Sequence, residues 1–180
     1  YCQGDGKTFQ TNDLTVAGRI IATDTISTNG NEVPGYQQGT WNPQAGDGDF
    51  TVEPDAAVWT RVGNLVTVWA QVYNFTNLTS ENSINILNCP YRGTVGMAAG
   101  SAFYAYGDVS DDAGGFTTTF INVNDSVPGN TFIQLYAAGS GTFRVMDYSN
   151  IRQNNFNLYL TASYITADTT WTPINGATVS

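Results

Sequence analysis

The chain has 180 residues, with 6 Lys plus Arg against 15 Asp plus Glu, no His, and a formal net charge of -9, a length that suits one compact domain with a short appendage rather than two full domains. Its six cations, Lys7, Arg19, Arg61, Arg92, Arg144 and Arg152, are scattered singly, so no basic stripe is offered to nucleic acid, and no apolar run approaches the ~20 residues of a membrane span. The absence of His removes Ser-His-Asp and Cys-His nucleophile pairs, and histidine-ligated metal centres with them.

Residues 1–38 read as a stem or docking segment. The opening Tyr1 to Lys7 lacks the basic start and apolar middle of a signal peptide. From Leu14 to Ser27, short apolar alternations carrying Leu14, Val16, Ile20, Ile21 and Ile26 are broken by Gly and polar residues and cannot enclose a core alone. Such a segment needs partners: the edge of the main domain, its own copies in a stem, or another protein. Gly35 to Gly39 is expected to link it to a domain over 39–180.

Within that domain the dominant period is two, carried by β-branched and aromatic residues between Gly, Asn and Asp. Ala57 to Val62 and Leu65 to Tyr73 both alternate, and Gly63-Asn64 between them suits a two-residue hairpin turn. In the second run Val66, Val68, Ala70 and Val72 share one face, while Thr67, Trp69, Gln71 and Tyr73 share the other. Further strands are expected at Ser83–Leu87, Ala98–Tyr106, Phe116–Val123, Thr131–Ala137, Thr142–Met146 and Asn155–Ala167, separated by turn clusters such as Asp111-Asp112-Ala113-Gly114-Gly115 and Gly139-Ser140-Gly141. No segment shows a capped amphipathic helix. The pattern predicts an all-β protein, an antiparallel β-sandwich with jelly-roll-like packing.

The residues that could carry chemistry have ordinary structural readings beside them. Cys2 and Cys89 belong to no metal-binding cluster, and Cys89 reads as a small buried apolar residue. Asp47 with Asp49, Glu53 with Asp55, and Asp108 with Asp111 and Asp112 are carboxylate groups of the kind glycosidases or Ca²⁺ loops use. They sit in Gly-rich turns, where Asp is favoured for its bonds to nearby amides, and none has the full spacing of a calcium loop. No catalytic residue, cofactor or metal is therefore assigned. The aromatics say more, at 13% of the chain: Trp41, Trp69, Tyr73, Tyr104, Tyr106, Tyr159 and Trp171 fall on mixed faces or beside turns, where subunit interfaces and saccharide platforms place them. Trp69 and Trp171 are the aromatic binding candidates.

Gly39-Thr40-Trp41-Asn42-Pro43, then Trp59-Thr60-Arg61-Val62-Gly63-Asn64-Leu65-Val66-Thr67-Val68, then Asn88-Cys89-Pro90-Tyr91 and the closing Leu160-Thr161-Ala162-Ser163-Tyr164 together resemble the carboxyl-terminal domains of tailed-phage fibre and head-fibre proteins. Asn88-Cys89 departs from the Leu-Pro commoner there. The resemblance covers residues 39–165. It implies a virion surface protein without enzymatic activity, homotrimeric, in which a segment like Leu14 to Ser27 forms a trimeric stem. It also implies loops for contact with a host-surface glycan or protein, with Asp108, Asp111 and Asp112 among the expected contacts, neither nucleic acid nor membrane insertion being involved. Three weak sites on one trimer would act through avidity. The alternatives are a capsid decoration protein whose residues 1–38 dock on other virion proteins of the shell, and a secreted carbohydrate-binding module.

Overall fold

A computed structural model describes residues 27–28, 31–32, 35–106, 118–127, 130–139, 142–151 and 156–180. The chain divides into two units, Tyr1–Val33 and Pro34–Ser180. In the first, β1 (Ser27–Thr28) and β2 (Asn31–Glu32) pair antiparallel, Ser27 opposite Glu32. Leu14, Val16, Ile20, Ile21 and Ile26 lie outside the described residues.

The second unit is one antiparallel 12-stranded sheet. Its strands are β3 (Tyr36–Thr40), β4 (Gln44–Ala45), β5 (Thr51–Val52), β6 (Val58–Val62), β7 (Leu65–Tyr73), β8 (Asn85–Leu87), β9 (Gly93–Tyr106), β10 (Thr118–Val127), β11 (Asn130–Gly139), β12 (Thr142–Val145), β13 (Asn157–Thr166) and β14 (Thr178–Val179). They run in the order β14-β3-β6-β7-β13-β9-β10-β11-β8-β4, with β12 beside β11 and β5 beside β7. The only helical turn among the described residues is a 3₁₀ turn at Tyr148–Asn150. The expected sandwich thus takes the form of a single sheet curled over its own apolar face.

Alternation decides what faces inward. Val66, Val68, Ala70 and Val72 of β7 and Leu158, Leu160, Ala162 and Tyr164 of β13 are buried, and they share one core with Ile86 of β8 and Ile133, Leu135 and Ala137 of β11. Each full burial of a Val, Leu or Ile side chain contributes roughly 1.5–3 kcal/mol. Phe75 sits among Phe50, Tyr148 and Phe156, with ring centroids 5.3, 6.3 and 5.5 Å apart respectively. Cys89 is fully buried with a free thiol, and burial pushes that thiol far above its ordinary value.

The β6–β7 hairpin closes where the sequence predicts, Val62 opposite Leu65 and Gly63 at a φ of 57°. Of the expected linker Gly35 to Gly39, residues 36–39 instead enter the sheet in β3, paired along its length with β6. Its alternation is hidden in the sequence because Gln37 and Gly39 occupy the inward positions, which therefore carry no apolar side chain. The strand β14 then covers β3, Thr178 opposite Thr40.

Candidate interaction surface

The outward residues of β3, β6, β7 and β13 line up in rows across the sheet. One row runs Tyr36, Val62, Leu65, Ile165; the next Gln38, Thr60, Thr67, Ser163; the third Thr40, Val58, Trp69, Thr161. Beyond them Gln71 stands opposite Tyr159, and Tyr73 opposite Asn157. Bands rich in apolar side chains therefore flank a hydroxyl and amide band, and none of these outward residues is charged.

The large side chains here are open to solvent: Tyr36 is 59% exposed, Val62 46%, Leu65 45%, Tyr159 40% and Trp69 38%. Many of the polar groups between them are already partnered within the face. Thr67 and Ser163 share a hydrogen bond of 2.9 Å, Thr40 and Thr178 one of 2.8 Å, and the Tyr36 hydroxyl donates to Gln38 at 2.6 Å. Gln71 Nε2 donates to the Tyr159 hydroxyl at 3.1 Å and to Asn157 Oδ1 at 3.3 Å. A face whose polar groups satisfy one another loses little when water is removed from it. A cavity of about 290 Å³ lies among Gln38, Thr40, Val58, Thr60 and Ser180.

Trp171 has a different setting. Its ring lies over the Arg61 guanidinium at 3.9 Å, and Tyr91 lies against the same guanidinium at 4.4 Å. Arg61 is 1% exposed; its Nη1 donates to Asp168 Oδ1 at 2.9 Å, its Nη2 to the Asp168 carbonyl and its Nε to the Gly63 carbonyl. The Asp168 carboxyl is held below the usual range: partial burial works against this, but hydrogen bonds from Arg61, Thr170 and the Trp171 amide outweigh it. Gln37 donates to the Trp171 carbonyl, and the Tyr91 hydroxyl donates to Gln37. Asn175 and Ile174 bond the carbonyls of Cys89 and Pro90. Trp171 thus clamps residues 167–177 to the domain. It is part of a buried cation–π stack, with no described contact to Trp69, which stands on the outer sheet face.

The acidic turn at Gly46 to Phe50 is also spoken for. The Asp47 carboxylate accepts hydrogen bonds from Ser80 Oγ, Asn82 Nδ2 at 2.8 Å and Asn77 Nδ2 at 2.9 Å, and those from Ser80 and Asn82 do most to hold it below the ordinary range. Asp49 Oδ1 accepts from the Phe50 amide at 2.8 Å. Both Asp47 oxygens thus serve the turn's own hydrogen bonds, and among the described residues no group of three or more His, Cys, Asp or Glu is placed to hold a metal. Asp108, Asp111 and Asp112 lie outside the described residues. Trp41, expected on a mixed face, is buried at 4% exposure, its indole N–H donating to the Trp69 carbonyl at 2.9 Å.

Sequence reasoning missed Tyr36, Val58, Val62 and Leu65 as members of a surface. The available signal was in β6 and β7, where Val58, Val62, Leu65 and Trp69 put apolar residues on the face opposite the core. No protein-family model matches the chain, and a search of curated proteins finds no match.

Proposed function

We propose that this protein is a non-enzymatic virion surface protein of the tailed-phage fibre type, a homotrimer that displays its β-sandwich for attachment to a host-surface glycan. The observation that carries this reading is the broad, uncharged outer face of β3, β6, β7 and β13, with exposed aromatic and aliphatic residues and many polar groups already hydrogen-bonded to one another. Such a face suits contact between copies in a homotrimer rather than bond-making chemistry, which leaves attachment to the loops. The Trp-Thr-Arg-Val-Gly-Asn hairpin at residues 59–64, which resembles fibre-type domains, supports the phage setting, and Asp108, Asp111 and Asp112 are the proposed attachment contacts. Multivalency would convert weak single contacts into firm attachment.

The test is binding of the purified, fluorescently labelled full chain to bacterial cells, in competition with polysaccharide extracted from their surface. Saturable binding abolished by the polysaccharide is the expected result. Binding to capsid shells with none to any cell would replace this reading with a decoration role.

A further inference from the structure

The outer face carries an inference about assembly that rests on the homotrimer reading and names the surface responsible. We infer that the outward face of β3, β6, β7 and β13 is where copies of this chain meet around their symmetry axis, so that the domain assembles through its own sheet and not through residues 1–38 alone.

The argument begins with charge. Close to a rotation axis every side chain meets its own copies, so a charged residue there faces the same charge again. In a chain with a net charge of -9, a face without charge is one on which copies can meet at close range without like-charge repulsion. The four strands supply one, built from chain positions as far apart as 36 and 165.

Size and composition agree with that occupant. Four strands at about 4.8 Å spacing, paired over five to nine residues at about 3.4 Å, give a footprint of about 500 Å², at the small end of what one partner buries in a specific interface. The exposed anchors, Tyr36, Leu65, Trp69 and Tyr159, are of the aromatic and aliphatic kind found at homo-oligomer interfaces. A partner of different composition would more readily be met by charge of opposite sign, and this face offers none.

The experiment is light scattering on the full chain and on Leu65→Glu, Trp69→Glu and Phe143→Glu variants, with near-ultraviolet circular dichroism to check folding. Phe143 is 67% exposed on β12 and lies off the face. The expected result is a mass near three subunits for the parent and for Phe143→Glu, while Leu65→Glu and Trp69→Glu raise the concentration needed for assembly by more than about tenfold. A monomeric parent, or folded Leu65→Glu and Trp69→Glu chains that keep the parent's mass, would overturn the inference. Should those variants misfold, Thr67→Cys in a Cys2→Ser background answers the same question. A short bismaleimide should join its copies, and failure to do so while the parent is trimeric overturns the inference. Cell binding by the same samples separates the two readings. A trimer lost with Leu65→Glu that binds no cell sustains the interface and sinks attachment, whereas a monomer that binds cells does the reverse.

Discussion

Arg61 shows how one residue can hold a segment that is distant in sequence. Its guanidinium lies between the Tyr91 and Trp171 rings and pairs with Asp168, 107 positions away. Breaking a buried ion pair by removing one partner leaves the other charge uncompensated and costs about 3–5 kcal/mol. Asp168→Asn keeps the volume and some hydrogen bonding, so its cost at pH 7 should fall toward or below the lower end of that range, about 2–3 kcal/mol. The sign of the pH dependence follows from the lowered Asp168 carboxyl. Its stabilisation is fully present above the carboxyl's unfolded value and is lost as pH falls through the depressed folded one. Thermal melting from pH 7 to pH 2 should show parent and Asp168→Asn converging at the acid end, and a constant gap between them would contradict this account. With no His in the chain, no histidine contributes to stability changes between pH 5 and 8.

At the level of elements, β3 matters most because it joins the carboxyl-terminal strand to the rest of the sheet. A Cβ added at Gly39 would lie 1.7 Å from the Thr178 carbonyl oxygen and 3.1 Å from the Trp59 indole nitrogen. The first of these is backbone and cannot be moved by a rotamer change. Gly39→Ala should therefore displace β14 at a cost of about 1–3 kcal/mol, as overpacking does elsewhere. Limited proteolysis should release residues near Ser180 faster from this variant than from the parent, with little change elsewhere. Equal protection would mean that β3 and β14 can shift together. In the core, Phe75→Ala should cost about 3–5 kcal/mol by emptying the centre of the aromatic cluster, read as a fall in the midpoint of urea unfolding.

For the whole molecule, acidity opposes the association of copies inferred above. Copies carrying a net charge of -9 repel at long range, and salt screens that repulsion within about 10 Å at 0.1 M, while association of apolar faces needs no ion pair. Raising the salt from about 0.02 to 0.3 M should therefore strengthen assembly. Sedimentation measured at fixed protein concentration across that range checks it, and dissociation by salt would point to ion pairs as the bond between copies.

The hairpin at Gly63-Asn64, the two faces of β7 and the alternation of β13 were legible in the sequence, because each rests on neighbours a few residues apart and a period of two. So was the all-β class, since β-branched and aromatic residues recur between turn formers along the whole domain. The strand β3 was not legible, because Tyr-Gln-Gln-Gly-Thr carries no apolar inward stripe and becomes a strand only by pairing with β6. The same limit applies to sites. Trp69 and Trp171 look alike as aromatics beside polar residues, yet one stands exposed on a sheet and the other lies over a buried arginine. Local pattern determined which segments extend, which face of each is apolar, and that chemistry relying on histidine is absent. Tertiary structure alone decided that Arg61 meets Asp168, that Asp47 spends its oxygens on Ser80, Asn77 and Asn82, and that four strands share one uncharged face. Those outcomes depend on which strands lie side by side, and pairing between distant segments is settled by burying the whole core at once.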